Sequence, residues 1–261
     1  MISVVQLGSV DYATALRLQQ RLVEMRKRGE VGDVLLLLEH PPVITLGRNA
    51  KAANVIASHE QLRAAGVEVF ECDRGGDVTY HGPGQLVGYP VFDLRGFAPA
   101  VGAVEFVRRL EEVLIRTCAA FGIAAERAAG MTGVWTKKQQ PQRHRGTETE
   151  QAKIAAIGVH ISRAVTSHGF ALNVNTNLAH FDLIVPCGLT EKPVTSMFRE
   201  LGREVALDDV AQSVAGHFGE VFASEVAWVD TLDALAGRAV GVPLQTPEEL
   251  RRLRGEEDTR A

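Results

Sequence analysis

The 261-residue chain has three cysteines, Cys72, Cys118 and Cys187, too widely spaced and too few for a disulfide framework. A reducing compartment fits that usage, and the chain is expected to work in the cytoplasm. Metal-binding spacings are also missing. There is no CxxC and no HxxxH, and His59-Glu60 lacks the second histidine of HExxH. Gly82-Pro83-Gly84 is followed by Val87 where a dinucleotide loop needs its third glycine, and no GxxxxGK[ST] occurs. Pro83 also removes an amide that a phosphate would use. The start, MISVVQLGSV, has neither the basic region nor the apolar run of a signal peptide. No apolar run approaches the roughly 20 residues of a membrane span. Basic charge is not in excess: 28 Lys and Arg stand against 32 Asp and Glu, for a net charge of −4. Neither nucleic acid nor a membrane surface is therefore expected as a partner.

What remains is enough apolar material, 46% of residues, for a sizeable core. Short extended runs alternate with helical ones. Strands are expected at residues 3–7, 34–38, 43–47, 67–70, 86–94, 133–136, 153–162 and 169–174. The run 34–38 is apolar at every position, as in a strand buried on both faces. Helices are expected at 11–28, 59–65, 101–121 and 208–222, with a charged one at 247–254. Residues 136–151 are polar, charged and without an apolar period, and read as a surface loop. The pattern predicts one α/β (α+β) domain around a mixed sheet. Its boundaries are set at residues 1–223, with 224–261 as a partly helical extension ending in a frayed charged tail.

Three features invite chemistry. The stretch RGGDVTYHGPGQLVGYP, from Arg74 to Pro90, holds five glycines and two prolines. Its glycines suit either a groove where a ligand lies against the backbone or a structural cluster of turns and hairpins. Cys187, in FDLIVPCGLTEKPVTS, is followed by a glycine that gives an acyl group access to sulfur and frees an amide for an oxyanion. A lone cysteine is more often a buried core residue, and Cys72 and Cys118 read that way. Lys153 opens KIAAIGVHIS at the mouth of an apolar strand. There it either snorkels to solvent or, beside a thiol, lowers that thiol's pKa from about 8.5.

Taken in order, RGGDVTYHGPGQLVGYPV, KIAAIGVHISR, HGFALNVN and PCGL resemble the lipoyl(octanoyl) transferase family over residues 34–222. The resemblance implies the biotin/lipoate protein ligase fold: a single domain with a mixed main sheet, a second small sheet and flanking helices. It implies transfer of an octanoyl group from octanoyl-acyl carrier protein to a lysine of lipoyl domains. Those domains belong to 2-oxoacid dehydrogenase complexes and the glycine cleavage H protein. By the same resemblance Cys187 is the nucleophile and Lys153 its activator. Acyl-substrate contacts fall on Arg74, Gly75, Gly76, Asp77, Val78, Thr79, Tyr80 and His81, on Ala156, Ile157 and Gly158, and on Gly169, Phe170 and Ala171. No cofactor, neither ATP nor a metal, is implied, and the enzyme is expected to be a monomer.

Overall fold

The computed structural model describes residues 1–136, 151–185, 193–230 and 235. Cys187, the expected loop apart from its ends, the charged helix at 247–254 and the tail lie outside the described residues.

The main sheet is built on the apolar run. Strand β2 (Asp33–Glu39) sits between β1 (Ile2–Ser9), which runs parallel to it, and the antiparallel β6 (Gln85–Val91). Alternate side chains of a strand point to opposite faces. Leu35 and Leu37 accordingly enter one core and Leu36 and Leu38 the other. Both faces must be covered, and helices cover them. On one side α1 (Tyr12–Lys27) lays Ala15, Leu18 and Leu22 against the sheet, with Asp11 accepting a hydrogen bond from the Thr14 amide as N-cap. On the other side pack α3 (Ala103–Ala120) and α5 (Leu207–Phe222). Phe92, Phe106, Phe218 and Phe222 meet there with ring centroids 5.4–6.1 Å apart.

From β6 the sheet continues through β10 (Val165–Asn173) and β9 (Lys153–Ser162) to β8 (Met131–Thr136) and β7 (Ala125–Ala128). At the opposite edge β11 (Val226–Trp228) adds parallel to β1. The expected extension 224–261 thus begins by contributing a strand to the sheet, tied on by Ile2 N–H to Glu225 O at 2.7 Å and Val229 N–H to Val4 O at 2.9 Å.

A second sheet has the order β4 (Glu68–Glu71), β3 (Val43–Leu46), β5 (Val78–His81). It encloses its own small core of Ile44, Leu62, Val67, Val78, Tyr80, Phe181 and Ile184. Leu62 comes from α2 (His59–Ala64), whose Ser58 and Gln61 form a capping box. The Gly-rich stretch is therefore no hairpin. Its two strands, β5 and β6, belong to different sheets, and the GPG between them carries the chain across. The last short helix, α4 (Met197–Leu201), is capped by Ser196. Among the described residues no helix is long and apolar enough to cross a membrane.

Candidate active site

Where the Gly-rich stretch crosses the main sheet it borders a cavity of about 450 Å³. Its floor is the β9–β10 ladder. Ala156 pairs with Ala171, Ile157 with Phe170 and Gly158 with Gly169, and all six line the cavity. Four of the six are glycine or alanine, so the ladder leaves room above itself. Arg74, Gly75, Gly76, Asp77, Thr79 and His81 form one wall, Tyr12, Tyr89 and His168 extend it, and Val107, Met131 and Thr132 form the other. Lys153 borders the same space. Val78 and Tyr80 do not. They alternate with Thr79 and His81 along β5 and point into the core of the small sheet.

Several of these residues are engaged by their own protein. Arg74, 7% exposed, donates to Thr45 O at 2.6 Å, to Thr45 Oγ1 at 2.9 and 3.1 Å, and to Gly75 O at 3.1 Å. It clamps the loop to β3. Asp77 Oδ1 accepts from the Val78 amide at 2.8 Å and the Lys51 amide at 3.2 Å, and its Oδ2 takes a side-chain N–H of Asn54. Gly75 donates its amide to Val159 O at 3.0 Å, and a Cβ on Gly158 would stand 2.6 Å from Gly75 O. Gly75 and Gly158 thus bring backbone against backbone while they also line the cavity. Gly84 has φ +77°, the left-handed conformation expected beside Pro83. Gly82 is small for another reason: a Cβ there would overlap the hydroxyl of Tyr80.

His81 is buried and neutral. Burial pushes its pKa well below the usual histidine value, and His40 and Arg74 nearby add to the effect. Gln85 Nε2 donates to Tyr80 O at 3.2 Å and to Asn173 Oδ1 at 2.9 Å, so Gln85 Oε1 is the acceptor facing His81 Nδ1 at 2.8 Å. His81 Nδ1 then carries the hydrogen and Nε2 is left as an acceptor, with Thr45 Oγ1 at 3.5 Å. Asn173 Nδ2 in turn donates to Thr195 O at 2.9 Å. A polar string thus runs from His81 through Gln85 and Asn173 to Thr195.

Thr195 leads back to Lys153. The Lys153 amide donates to Pro193 O and the Thr195 amide to Lys153 O, each at 2.9 Å, and Val194 bridges Lys153 in parallel. On its earlier side the same connection is held by Val185 N–H to Asn54 O at 2.7 Å and by the Val55–Ile184 bridge. Cys187 lies outside the described residues, two positions after Val185 and six before Pro193. Of the other thiols, Cys118 is buried in α3 with its pKa pushed up to about 12, and Cys72 is half-buried with Sγ 3.5 Å from Leu46 O. Among the described residues no group of three or more His, Cys, Asp or Glu is arranged to hold a metal ion.

The expected substrate contacts did not include Gln85, Asn173, Tyr12, Tyr89 or His168. Gln85 and Tyr89 stand inside the Gly-rich motif, and His168 and Asn173 inside HGFALN, so their signal lay in motifs already singled out. Tyr12 opens α1 as one apolar position among many and carries no such mark.

The catalytic-domain model of the lipoyl protein ligases A and B matches residues 11–219. An octanoyltransferase of Koribacter versatilis is 57% identical over 253 residues, covering 97% of both chains. One from Acidobacterium capsulatum is 55% identical over 238 residues, covering 88% of this chain and 94% of its own. Among solved structures, the bi-partite lipoate protein ligase of Thermoplasma acidophilum superimposes with a TM-score of 0.67 at 16% identity, over 91% of each chain. A lipoate-protein ligase A bound with ATP gives 0.66 at 15% identity, over 91% of this chain and 93% of that one. At such identities these two neighbours speak for the fold alone. With the expected two-sheet architecture in place and relatives above half identity along almost the whole length, the chain belongs to the lipoyl protein ligase A/B catalytic-domain family and, within it, to the lipoyl(octanoyl) transferases.

Proposed function

We propose that this protein transfers an octanoyl group from octanoyl-acyl carrier protein to a lysine of lipoyl domains, through a thioester on Cys187. The acceptor domains are those of 2-oxoacid dehydrogenase complexes and of H protein, and the enzyme works as a cytoplasmic monomer. The observation that carries the reading is the cavity. It is floored by Ala156, Gly158, Gly169 and Ala171 and bordered by Lys153, and the chain flanking Cys187 is hydrogen-bonded to Lys153. An eight-carbon chain gains about 0.8 kcal/mol per buried methylene, so a trough walled by Ile157, Phe170 and Met131 supplies binding energy without a charged partner.

The protons balance as follows. In the resting enzyme Lys153 is the ammonium and Cys187 the thiolate. The thiolate attacks the octanoyl carbonyl, the C–S bond to the carrier's pantetheine breaks, and Lys153 gives its proton to the leaving sulfur. Lys153 is then neutral. It takes a proton from the incoming acceptor lysine, which at a pKa of about 10.4 arrives charged. The amine attacks the octanoyl-Cys187 thioester, and Cys187 leaves as thiolate beside the restored ammonium. One proton goes to solvent per turnover. Thioester exchange is nearly balanced and amide formation runs downhill, so the second step draws the first forward. His81, neutral and with Nε2 as an acceptor, borders the same cavity.

Mixing the protein with octanoyl-acyl carrier protein alone should add one octanoyl mass to the enzyme, without ATP. Cys187→Ala should abolish the adduct and the transfer, whereas Cys72→Ala should retain both. Normal transfer by Cys187→Ala, or a requirement for ATP, defeats the proposal.

A further inference from the structure

In the proposed transfer Lys153 has two duties, a charge that favours the thiolate and later a base. Which form the resting enzyme holds depends on what surrounds the amine. On one side is an aromatic face. Lys153 pairs with Trp135 across β8 and β9, and its Nζ lies 4.8 Å from the centroid of the indole ring. Trp135 is 1% exposed, so the ring is fixed by packing. Two residues earlier Gly133 has φ +121°, and a Cβ there would stand 3.3 Å from Lys153 Cε and 3.6 Å from Nζ. The lysine arm thus passes over a glycine and sets its head on an indole. Strand β8 is anchored beneath it, since the Gly133 amide donates to Glu111 Oε1 at 3.2 Å. Glu111 is itself fully buried and ion-paired with Arg108 and Arg127.

An indole face carries the negative part of its quadrupole and attracts a cation within about 6 Å, tryptophan more strongly than tyrosine or phenylalanine. It has no comparable attraction for a neutral amine. The seat therefore discriminates between the two forms of Lys153, and the discrimination is greatest out of water, where Trp135 is. We infer that Trp135 is a positioning residue for the transfer: its ring holds Lys153 in place as the ammonium, so that the resting enzyme starts as a thiolate–ammonium pair. This rests on the proposed pairing of Lys153 with Cys187, and it assigns to Trp135 and Gly133 a part in the chemistry that neither plays by touching substrate.

The test reads the thiol. Alkylation of Cys187 by iodoacetamide, followed by peptide mass mapping, gives a rate that rises with pH through a midpoint. Trp135→Leu should move that midpoint upward by about one unit, toward its value in Lys153→Ala, with Trp135→Phe in between. Because Trp135→Leu risks misfolding, the ring should also be altered without changing its shape. The chain has two tryptophans, and Trp228 lies exposed at the edge of the sheet. In a Trp228→Phe background, replacing tryptophan by its mono-, di- and tetrafluoro analogues weakens the ring quadrupole stepwise. The midpoint should climb with each step, and the climb should vanish when Lys153→Ala is added. An unchanged midpoint across the fluorinated series overturns the role of Trp135, as does a shift that persists in Lys153→Ala. If Lys153→Ala alone leaves the midpoint where it was, the Cys187–Lys153 pairing itself falls, and the two failures are thereby told apart.

Discussion

Tyr80 and His81 are neighbours in a motif, yet their side chains serve different parts of the molecule. His81 faces the cavity, whereas the Tyr80 ring packs edge-on to Phe181 at 5.4 Å and its hydroxyl meets His180 Nδ1 at 2.7 Å. Burial pushes the Tyr80 pKa up to about 12, so the phenol stays neutral in that hydrogen bond. His180 and Phe181 belong to the 3-10 turn Leu178–Leu183, which leads directly to Val185. Tyr80→Phe should therefore leave the KM for the acyl donor within about twofold and lower stability by about 1 kcal/mol, the usual worth of one hydrogen bond. Steady-state kinetics and urea unfolding measure the two. A large rise in KM would mean that the hydroxyl reaches substrate after all. The motif was legible as a motif, and its in-and-out alternation follows from a strand period of two. That strand was not legible, because four residues between glycines leave no room for a pattern to repeat.

The elements that carry the site were legible where they are long. The spacing places β9 at its observed bounds, Lys153–Ser162, and α1, α3 and α5 within two residues of theirs. The strands that escaped are β5, β7 and β11, of four, four and three residues. Ala125–Ala128 reads AERA, good helix formers, and is a strand only because β8 pairs with it. Pairing also explains the small residues of the floor, and one substitution tests it. A Cβ on Gly158 would stand 2.6 Å from Gly75 O, and this contact is backbone, which cannot swing aside. Gly158→Ala should push the 74–76 loop off β9, destabilise the fold by about 1–3 kcal/mol and raise the donor KM. Thermal unfolding and kinetics report the two effects together. An alanine variant with wild-type stability and KM would show that the loop and β9 need not touch.

At the scale of the whole molecule the order of the strands came from no local pattern, since neighbours such as β6 and β10 are far apart in sequence and meet only through burial. The family resemblance supplied that architecture, and the two-sided burial of residues 34–38 was its one independent sign. The junction of the two sheets also buries titratable groups that composition does not reveal. His40 donates from Nδ1 to Val10 O at 2.6 Å and accepts from the Tyr89 hydroxyl at 2.7 Å. Burial lowers its pKa to about 4, and burial likewise lowers those of His81 and His168. These histidines take up protons in the unfolded chain near pH 6.5 but resist them when folded, so the unfolded state binds more protons as pH falls. Stability is complete above pH 6.5 and declines below it, by up to about 1.4 kcal/mol per pH unit for each such histidine. Carboxylates with lowered values, among them Asp93 beside Arg95 and Glu112 beside Arg116, add their loss only as pH approaches their own unfolded range near 4. Thermal unfolding between pH 7.5 and 5 should thus show a falling midpoint before any carboxylate titrates. His40→Gln, which keeps a donor for Val10 and an acceptor for Tyr89, should be less stable at pH 7.5 yet lose less on acidification. A parallel decline in both proteins would acquit His40 and leave the slope to His81 and His168.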